Sequence, residues 1–521
     1  MPDEREYELK FSIAPDAVPA LTSHPTFALG RSAPTSATLV STYFDTPDQT
    51  LRRHDLTLRI RDKNGAKVET VKQTNASTLD RGEWEFQTDD IVPSLERLQE
   101  TPLGALMHEV DLKDRIAPVF TVTVERTTKM LRWGDSDIEV AIDRGEVEAD
   151  GRHIPISEIE LELKQGRPTD LFDLASHLVH DVALTLSLVS KSERGFRLLD
   201  RTWGHPVKAA RPVLDADMTQ VAAVQTLLEA CLHDLLLNLA AFAPGGDIEA
   251  VHRGRVALRR LRAAMTLFES RTEDAKREPL RLELKWLSDL LGVARDCDVF
   301  QSEIFDPAAE DPAILGARDL ADHMRQKQRN AHAALAEGLR SPRWRRLLSD
   351  LIAWIADGAW ITHHAAADPS APEETLADFA RQRLRSRWRS LVRKGRGLGE
   401  LPPHERHLIR IRAKKLRYAL EFFEEVPGVG KGSKSYKSLQ RGLEELQASL
   451  GLLHDHDAKH DLLHAECLGW DPANAAGPRI MFAAGVLSGA APDTDMVLKK
   501  ATAAFKIIRD SDPFRSDLTP R

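Results

Sequence analysis

Carboxylates and bases recur at alternate positions through the first part of this chain. Glu6, Glu8 and Lys10 form one such set, and Arg59 with Arg61 another. Lys72 follows, then Glu83 with Glu85, Glu139 with Asp143, and Glu160, Glu162 and Lys164. Clustered carboxylates are hard oxygen ligands suited to Mg2+ or Mn2+, and they repel one another without a cation. Clustered Arg and Lys match phosphate oxygens, Arg as a planar fork and Lys as a point charge. Both sets in one place describe a site for a metal-bound polyanion. The metal would neutralise phosphoryl charge and position or ionise an attacking water.

The charged residues alternate with Tyr7, Leu9 and Phe11, with Leu58 and Ile60, with Trp84 and Phe86, and with Ile159, Leu161 and Leu163. Strict alternation predicts strands with one apolar and one charged face. Such strands are read at 6–11, 56–61, 70–74, 83–86, 120–126, 139–143 and 159–164, with a helix at 171–180 and a last short strand at 187–191. Many antiparallel strands point to a sandwich or a closed barrel. A barrel with a charged lumen accounts for charges that recur in pairs and triples on six strands.

Glu6-x-Glu8-x-Lys10 resembles the opening signature of the CYTH superfamily, the triphosphate tunnel metalloenzymes. Tyr43-Phe-Asp-Thr-Pro, Leu58-Arg-Ile-Arg, Thr70-Val-Lys, Arg81-Gly-Glu-Trp-Glu, Glu125-Arg126, Asp143-Arg-Gly, Glu160-Leu-Glu-Leu-Lys164 and Ser190-Lys-Ser-Glu-Arg194-Gly follow in the family's order. The resemblance implies an eight-stranded antiparallel tunnel. It implies triphosphate binding by Lys10, Arg59, Arg61, Lys72, Arg126, Lys164, Lys191 and Arg194. It implies metal binding by Glu6, Glu8, Asp143, Glu160 and Glu162, with catalysis resting on Glu6, Glu8, Lys10, Glu160 and Glu162. The superfamily includes adenylate cyclases, thiamine triphosphatases and inorganic triphosphatases, and these motifs serve all of them.

Near residue 218 the period changes. Apolar residues at three- and four-residue spacing predict helices at 220–241, 252–270, 280–293, 314–339, 344–360, 376–392, 405–424 and 437–453. The aperiodic stretch from Trp203, with a glycine and two prolines, reads as a linker. The expected plan is a tunnel domain over 1–203, a linker over 204–217 and an all-α domain over 218–510. That last domain divides into repeats of about 218–370 and 371–510. His252-x-x-Arg255-x-x-x-Arg259-Arg260-x-Arg262 recurs as His407-x-x-Arg410-x-x-x-Lys414-Lys415-x-Arg417. Leu291-Gly-Val-Ala-Arg-Asp296-Cys-Asp298 recurs as Leu450-Gly-Leu-Leu-His-Asp455-His-Asp457.

His252, Arg255, Arg259 and Arg262 share one helical stripe, as do His407, Arg410, Lys414 and Arg417. Like charges so arranged need an anion, or Asp296, Asp298, Asp455 and Asp457 as internal partners; an anion-binding surface is expected. The repeats resemble the CHAD domain, a conserved-histidine α-helical domain often fused to CYTH. The resemblance implies two helical bundles whose basic, His-containing surface binds inorganic polyphosphate, here through His252, Arg255, Arg259, Arg260, Arg262, His407, Arg410, Lys414, Lys415 and Arg417. Most of the seven further bases between Arg381 and Lys394 read as a solvated face. Gly428-Val-Gly-Lys-Gly-Ser lacks the spacing of a phosphate loop and reads as a turn. His454, His456, His460 and His464 read as solvated or polyanion-contacting rather than as a metal site.

Across 521 residues the net charge is −8, with 42% hydrophobic and 29% charged residues, which suits folded domains. Residues 1–203 carry 25 bases against 36 acids, and the remainder 47 against 44 with 13 of the 19 histidines. That asymmetry assigns the halves different work. Cys231, Cys297 and Cys467 give neither a disulfide framework nor a Cys-x-x-Cys zinc pair. An acidic start and the absence of a long apolar run argue against secretion and against membrane partners. The expected protein is a cytoplasmic hydrolase, also associating with polyphosphate granules. It would cleave inorganic triphosphate to diphosphate and phosphate with Mg2+ or Mn2+, and bind inorganic polyphosphate. The alternatives are hydrolysis of thiamine triphosphate or ATP, cyclisation of ATP, and a non-catalytic polyphosphate-binding scaffold. Nucleic acid is not expected, since the basic helices lack stacking aromatics.

Overall fold

This computed structural model describes residues 7–514, apart from 31–32, 74–81, 111, 113–114, 211, 216, 366–373, 427–428, 430–432, 470–476, 490–492 and 513. Glu6, Arg81 and the glycine-rich turn at Gly428, Gly430 and Lys431 therefore lie outside the described residues.

Nine antiparallel strands make one sheet: β1 (Glu8–Ile13), β2 (Thr35–Asp45), β3 (Leu56–Lys63), β4 (Ala66–Gln73), β5 (Glu83–Thr88), β6 (Ala117–Trp133), β7 (Ser136–Ala149), β8 (Arg152–Gln165) and β9 (Leu184–Leu186). Their order is β5-β4-β3-β2-β6-β7-β8-β1-β9. Short helices α1 (Val18–Thr22), α2 (Thr50–Arg53) and α3 (Pro102–Glu109) fill the connections, followed by α4 (Pro168–Asp181) and α5 (Lys191–Leu199). The expected count of strands was eight. The ninth, β9, pairs with β1 through Phe11↔Leu186, and 187–191 is not a strand. Ser190 instead caps α5, its Oγ accepting from the Glu193 N–H at 3.0 Å. Ser190-x-x-Glu193 is the spelling of a capping box, a helix-start signal that competes with strand pairing.

The sheet curls with its two faces doing different work. Outside, Leu9, Phe11, Ile138, Val140, Ile159 and Leu161 pack on Leu171, Leu174 and Leu178 of α4, while Leu58, Ile60 and Val71 pack on Leu103 and Leu106 of α3. Inside, one end is apolar: Tyr43, Phe120, Val122, Val124, Val147 and Ile156 close around Phe196 and Leu198 of α5. The other end stays charged. Helix α5 is thus a plug with its N-terminus turned toward the charged cavity.

Twelve more helices follow among the described residues. They are α6 (Gln220–Ala240), α7 (Ile248–Leu267), α8 (Arg277–Phe300), α9 (Asp306–Glu310), α10 (Ala317–Arg340) and α11 (Pro342–Asp357), then α12 (Ala359–Ala365), α13 (Leu376–Lys394), α14 (Pro403–Phe422), α15 (Lys434–Gly469), α16 (Gly477–Ser488) and α17 (Thr494–Asp510). Among these described residues no helix is long and apolar enough to cross a membrane. The sheet and the helices share one apolar core: α11 packs on α4 and β9, and Leu227, Leu351 and Ile355 belong to the same cluster as Leu9 and Leu171. Described residues of the 204–217 segment are tied down. Val207 N–H donates to Asn238 Oδ1 at 2.9 Å, Ala210 N–H to the Asp234 carboxylate at 3.0 Å, and Leu214 is buried.

Candidate functional site: a charged tunnel and a paired basic surface

The curl brings the two ends of the sheet to one cavity of about 460 Å3, lined by Glu8 and Lys10 of β1 and by Glu83 and Glu85 of β5. Tyr43, Arg59, Arg61, Lys72, Arg126, Glu160, Glu162 and Lys191 complete its charged wall. Strand register explains the clustering. Lys10 stands opposite Glu160 and Glu8 opposite Glu162, and Glu162 is in turn opposite Glu139. Side chains in register on one face lie close enough to interact.

Three carboxylates, Asp143, Glu158 and Glu160, bring oxygens within 4.8 Å of one another, deep in the wall. The Lys191 ammonium lies among them, 2.7 Å from Asp143 and 2.6 Å from Glu160, and also pairs with Glu158. Arg126 holds Asp143 with two bonds, at 2.7 and 2.6 Å, and also reaches Glu160. Burial alone would raise these acids' pKa values, but Lys191 leads a set of cations that holds all three below the ordinary range. The trio is therefore ionised and already neutralised by the chain's own bases.

On the opposite wall three cations, Arg59, Arg61 and Lys72, stand with two carboxylates, Glu83 and Glu85. Arg59 lies 3.4 Å and Lys72 2.5 Å from the one carboxylate of Glu83. Arg61 donates to the neutral Ser41 hydroxyl at 3.3 Å. Burial, then the like charges of Arg59 and Arg126, push Arg61 down to about 10. Tyr43 is buried, which opposes its ionisation, yet Arg59, Arg61 and Lys72 leave its phenol below the usual value. Such a wall can accept an anion.

The structure does not bring every expected tunnel residue to the cavity. Arg194 is buried against Glu158 at 2.5 Å, and Lys164 pairs with Glu162 at the exposed strand end; neither lines the cavity. Asp143 has both oxygens engaged by Arg126 and Lys191. Donor chemistry fits a hard divalent cation better at Glu8 and Glu162, which are in register beside Glu160 and half-exposed. Glu158 and Tyr43 were not among the expected site residues.

In the helical part, α7 packs on α14 and brings the two copies of the basic motif together. Arg255, Arg259, Arg410 and Lys414 converge. Burial first, then Arg259, Arg410 and Arg255, push Lys414 down to about 7. The two Leu-Gly motifs provide the seats. A Cβ at Gly292 would lie 3.2 Å from Arg255 Nη1, and one at Gly451 3.4 Å from Arg410 Nη2. Each guanidinium thus lies over a bare stretch of the next helix. Asp296 lies 3.4 Å from Arg255, His407 is 4.4 Å from His454 ring to ring, and burial lowers the pKa of His252, His407 and His454. Buried Nε atoms of Arg259 and Arg410 and Nδ1 of His407 lack a protein partner.

The expected polyphosphate-binding residues do not all converge. Arg260 is buried, 2.9 Å from Glu421, and donates to Ala210 O at 3.0 Å; Arg417 also grips Glu421, at 3.1 Å. Both therefore brace the fold. Arg262 and Lys415 join a second basic group, in which burial and then Arg387 lower Lys415. Along α13, Arg381, Arg385, Arg389 and Arg393 fall on one side and line a groove.

Family comparison matches the CYTH domain to residues 4–196 and the CHAD domain to residues 226–464. A 208-residue stretch, 37% of the chain, is 31% identical to an inorganic triphosphatase of Haemophilus influenzae and covers 55% of that protein's length. An uncharacterised protein of Mycobacterium tuberculosis is 29% identical over 447 residues, 79% of this chain and 81% of the relative. The crystal structure of a CHAD domain from the plant Ricinus communis aligns with 28% identity and a TM-score of 0.49, covering 58% of this chain and 96% of that one.

Proposed function

The chain carries a CYTH domain followed by a CHAD domain, and from that premise we propose that it is a metal-dependent triphosphatase with a polyphosphate-binding helical domain. Its reaction would convert inorganic triphosphate to diphosphate and phosphate. The observation that carries this reading is a wall on which Arg59, Arg61 and Lys72 outnumber Glu83 and Glu85, with Arg61 lacking a carboxylate partner among the described residues, in a cavity of about 460 Å3. A phosphate chain supplies the missing negative charge, and Arg forks and Lys ammonium groups grip its non-bridging oxygens.

Glu8 and Glu162, in register beside Glu160, would hold Mg2+ or Mn2+, which would supply charge neutralisation and an activated water when bound. Arg59, Arg61, Arg126 and Lys72 would fix the substrate so that its terminal phosphorus faces that water. A water oxygen would bond to that phosphorus as the bridging P–O bond breaks, diphosphate leaving with the bonding electron pair and the water's proton passing to a phosphate oxygen or to solvent. In the helical domain Arg255, Arg259, Arg410 and Lys414 would bind polyphosphate without hydrolysing it, because few carboxylates stand among them.

The test is turnover of triphosphate, ATP, thiamine triphosphate and long-chain polyphosphate by the purified chain with Mg2+ or Mn2+. Triphosphate should be the fastest substrate, and Glu160→Gln should slow it about 10²–10³-fold, as removing one preorganised electrostatic group does elsewhere. A wild-type rate untouched by exhaustive chelation would remove the metal from the reading.

A further inference from the structure

On the outer side of the sheet domain, away from the tunnel, two histidines and an aspartate meet. His24 stands at the start of the turn Pro25–Leu29, and His177 and Asp181 are one turn apart on α4. A ring nitrogen of each histidine and a carboxylate oxygen of Asp181 lie within 4.8 Å of one another. His24 Nε2 is 3.0 Å from Asp181 Oδ2. In a tetrahedral zinc site with ligand bonds near 2.0–2.1 Å, neighbouring donor atoms are roughly 3.3 Å apart. Two of the three donors already stand at nearly that separation.

We propose that His24, His177 and Asp181 bind a transition-metal cation of the Zn2+ class, independently of the tunnel. Imidazole donors favour Zn2+ over the hard Mg2+ and Mn2+ that carboxylates alone would take. The surroundings are arranged as a second layer of support. His24 Nδ1 lies 3.0 Å from Thr26 Oγ1, so the hydroxyl accepts the Nδ1 proton when Nε2 turns its lone pair to the metal. Without metal the other tautomer is the one that fits: Nδ1 accepts from the Thr26 N–H at 3.3 Å, and Nε2–H donates to Asp181. The ring of His177 packs against Trp133, 5.1 Å between centroids, and Trp133 is itself fixed by Nε1–H donating to Asp173 at 2.9 Å. His180 Nδ1 is 2.7 Å from the second Asp181 oxygen and orients the carboxylate. A cation here would join the 25–29 turn to the C-terminal end of α4, the helix on which α11 rests.

The experiment uses the untagged full chain, stripped with a chelator and titrated with ZnCl2 by calorimetry, and with CoCl2 by visible absorption, in millimolar Mg2+. The background carries His460→Ala and His464→Ala, which silences the exposed histidines of α15. One Zn2+ per chain, cobalt bands of tetrahedral intensity and a raised thermal midpoint are expected. His177→Ala, at an exposed position, should weaken Zn2+ binding at least tenfold and abolish the thermal shift, while Glu160→Gln should leave both unchanged. His24→Ala should behave as His177→Ala does, apart from any loss of the turn it caps. Zn2+ affinity that is the same in wild type and His177→Ala, or no one-to-one binding at 100 μM Zn2+, overturns the site.

Discussion

Arg61 is the residue on which the tunnel reading is most exposed. It is buried, crowded by Arg59 and Arg126, and bonded to a hydroxyl where a carboxylate would be expected. A phosphate oxygen would relieve that imbalance, and hydrogen bonds to charged groups contribute about 1.5–3 kcal/mol. Arg61→Ala should therefore weaken triphosphate binding about 10- to 100-fold in titration calorimetry, and Arg61→Lys should recover little because the fork is lost. Equal affinities would mean that the anion sits elsewhere. Alternation in the sequence was enough to single out Arg59, Arg61, Lys72 and Glu160, since period two fixes which side chains share a face. It did not single out Glu158, whose meaning depends on Lys191 and Arg194 arriving from another element, nor Tyr43, whose strand was not recognised. Arg194 and Arg260 show the converse. Their charge was legible, but the acids that claim them, Glu158 and Glu421, are known only from the fold. Glu69 faces away from the cavity, but anchors Ser94 N–H and Arg97, each at 3.0 Å, so its removal would report on folding.

At the scale of elements, α5 is the part whose position matters most, because Lys191 enters the acid trio only while the helix is seated. Gly195 faces the Phe120 ring, and a Cβ there would fall 2.1 Å from Cε2 and 2.3 Å from Cδ2. The ring is held by Tyr43 and Phe196 and has little room to yield. Gly195→Ala should cost about 1–3 kcal/mol of stability in urea unfolding, and should impair triphosphate turnover below the unfolding transition as Lys191 is displaced. Unchanged stability would mean that the plug is loosely seated. Strands with apolar and charged faces were legible from their period. β2 was not, because its inward residues are largely small or hydroxylated and give weak contrast. The long α15 runs well past 453, since its polar His/Asp stretch hides helical continuation from an apolar pattern. α16 and α17 bury Ala483, Ala484, Ala501 and Ala504, small side chains that leave little amphipathic signal. The glycines of the two Leu-Gly motifs were visible as a repeat, but their purpose, a flat seat for Arg255 and Arg410, needed the neighbouring helix.

Over the whole molecule, a polyanion bound at the paired basic surface would be coupled to protons. Lys414 titrates at about 7 when folded, against 10.5 for the free side chain. Between those values the unfolded chain holds a proton that the folded chain has released, so this group's contribution makes stability rise with pH across the window, and its full penalty applies below about 7. A polyphosphate chain beside Lys414 would restore the proton. Its binding should take up protons and tighten as pH falls from about 8 to about 6, and should weaken steeply with salt as counterions are displaced. Calorimetry in buffers of different ionisation enthalpy reads the uptake directly; an affinity flat over that range would remove Lys414 from the interface. The sequence marked a domain boundary near 203, where periodicity stops, but not that both halves close over a common apolar core, since neither half's pattern names its partner. The tethered 204–217 segment carries a consequence for proteolysis. Lys208 is exposed beside two prolines, an inviting place for trypsin, yet cleavage requires several residues to be drawn out into the enzyme's cleft. With Val207 held by Asn238 and Ala210 by Asp234, Lys208 should survive digestion until Asp234→Ala and Asn238→Ala together free the strap, and mass spectrometry of a time course would then show the new cut.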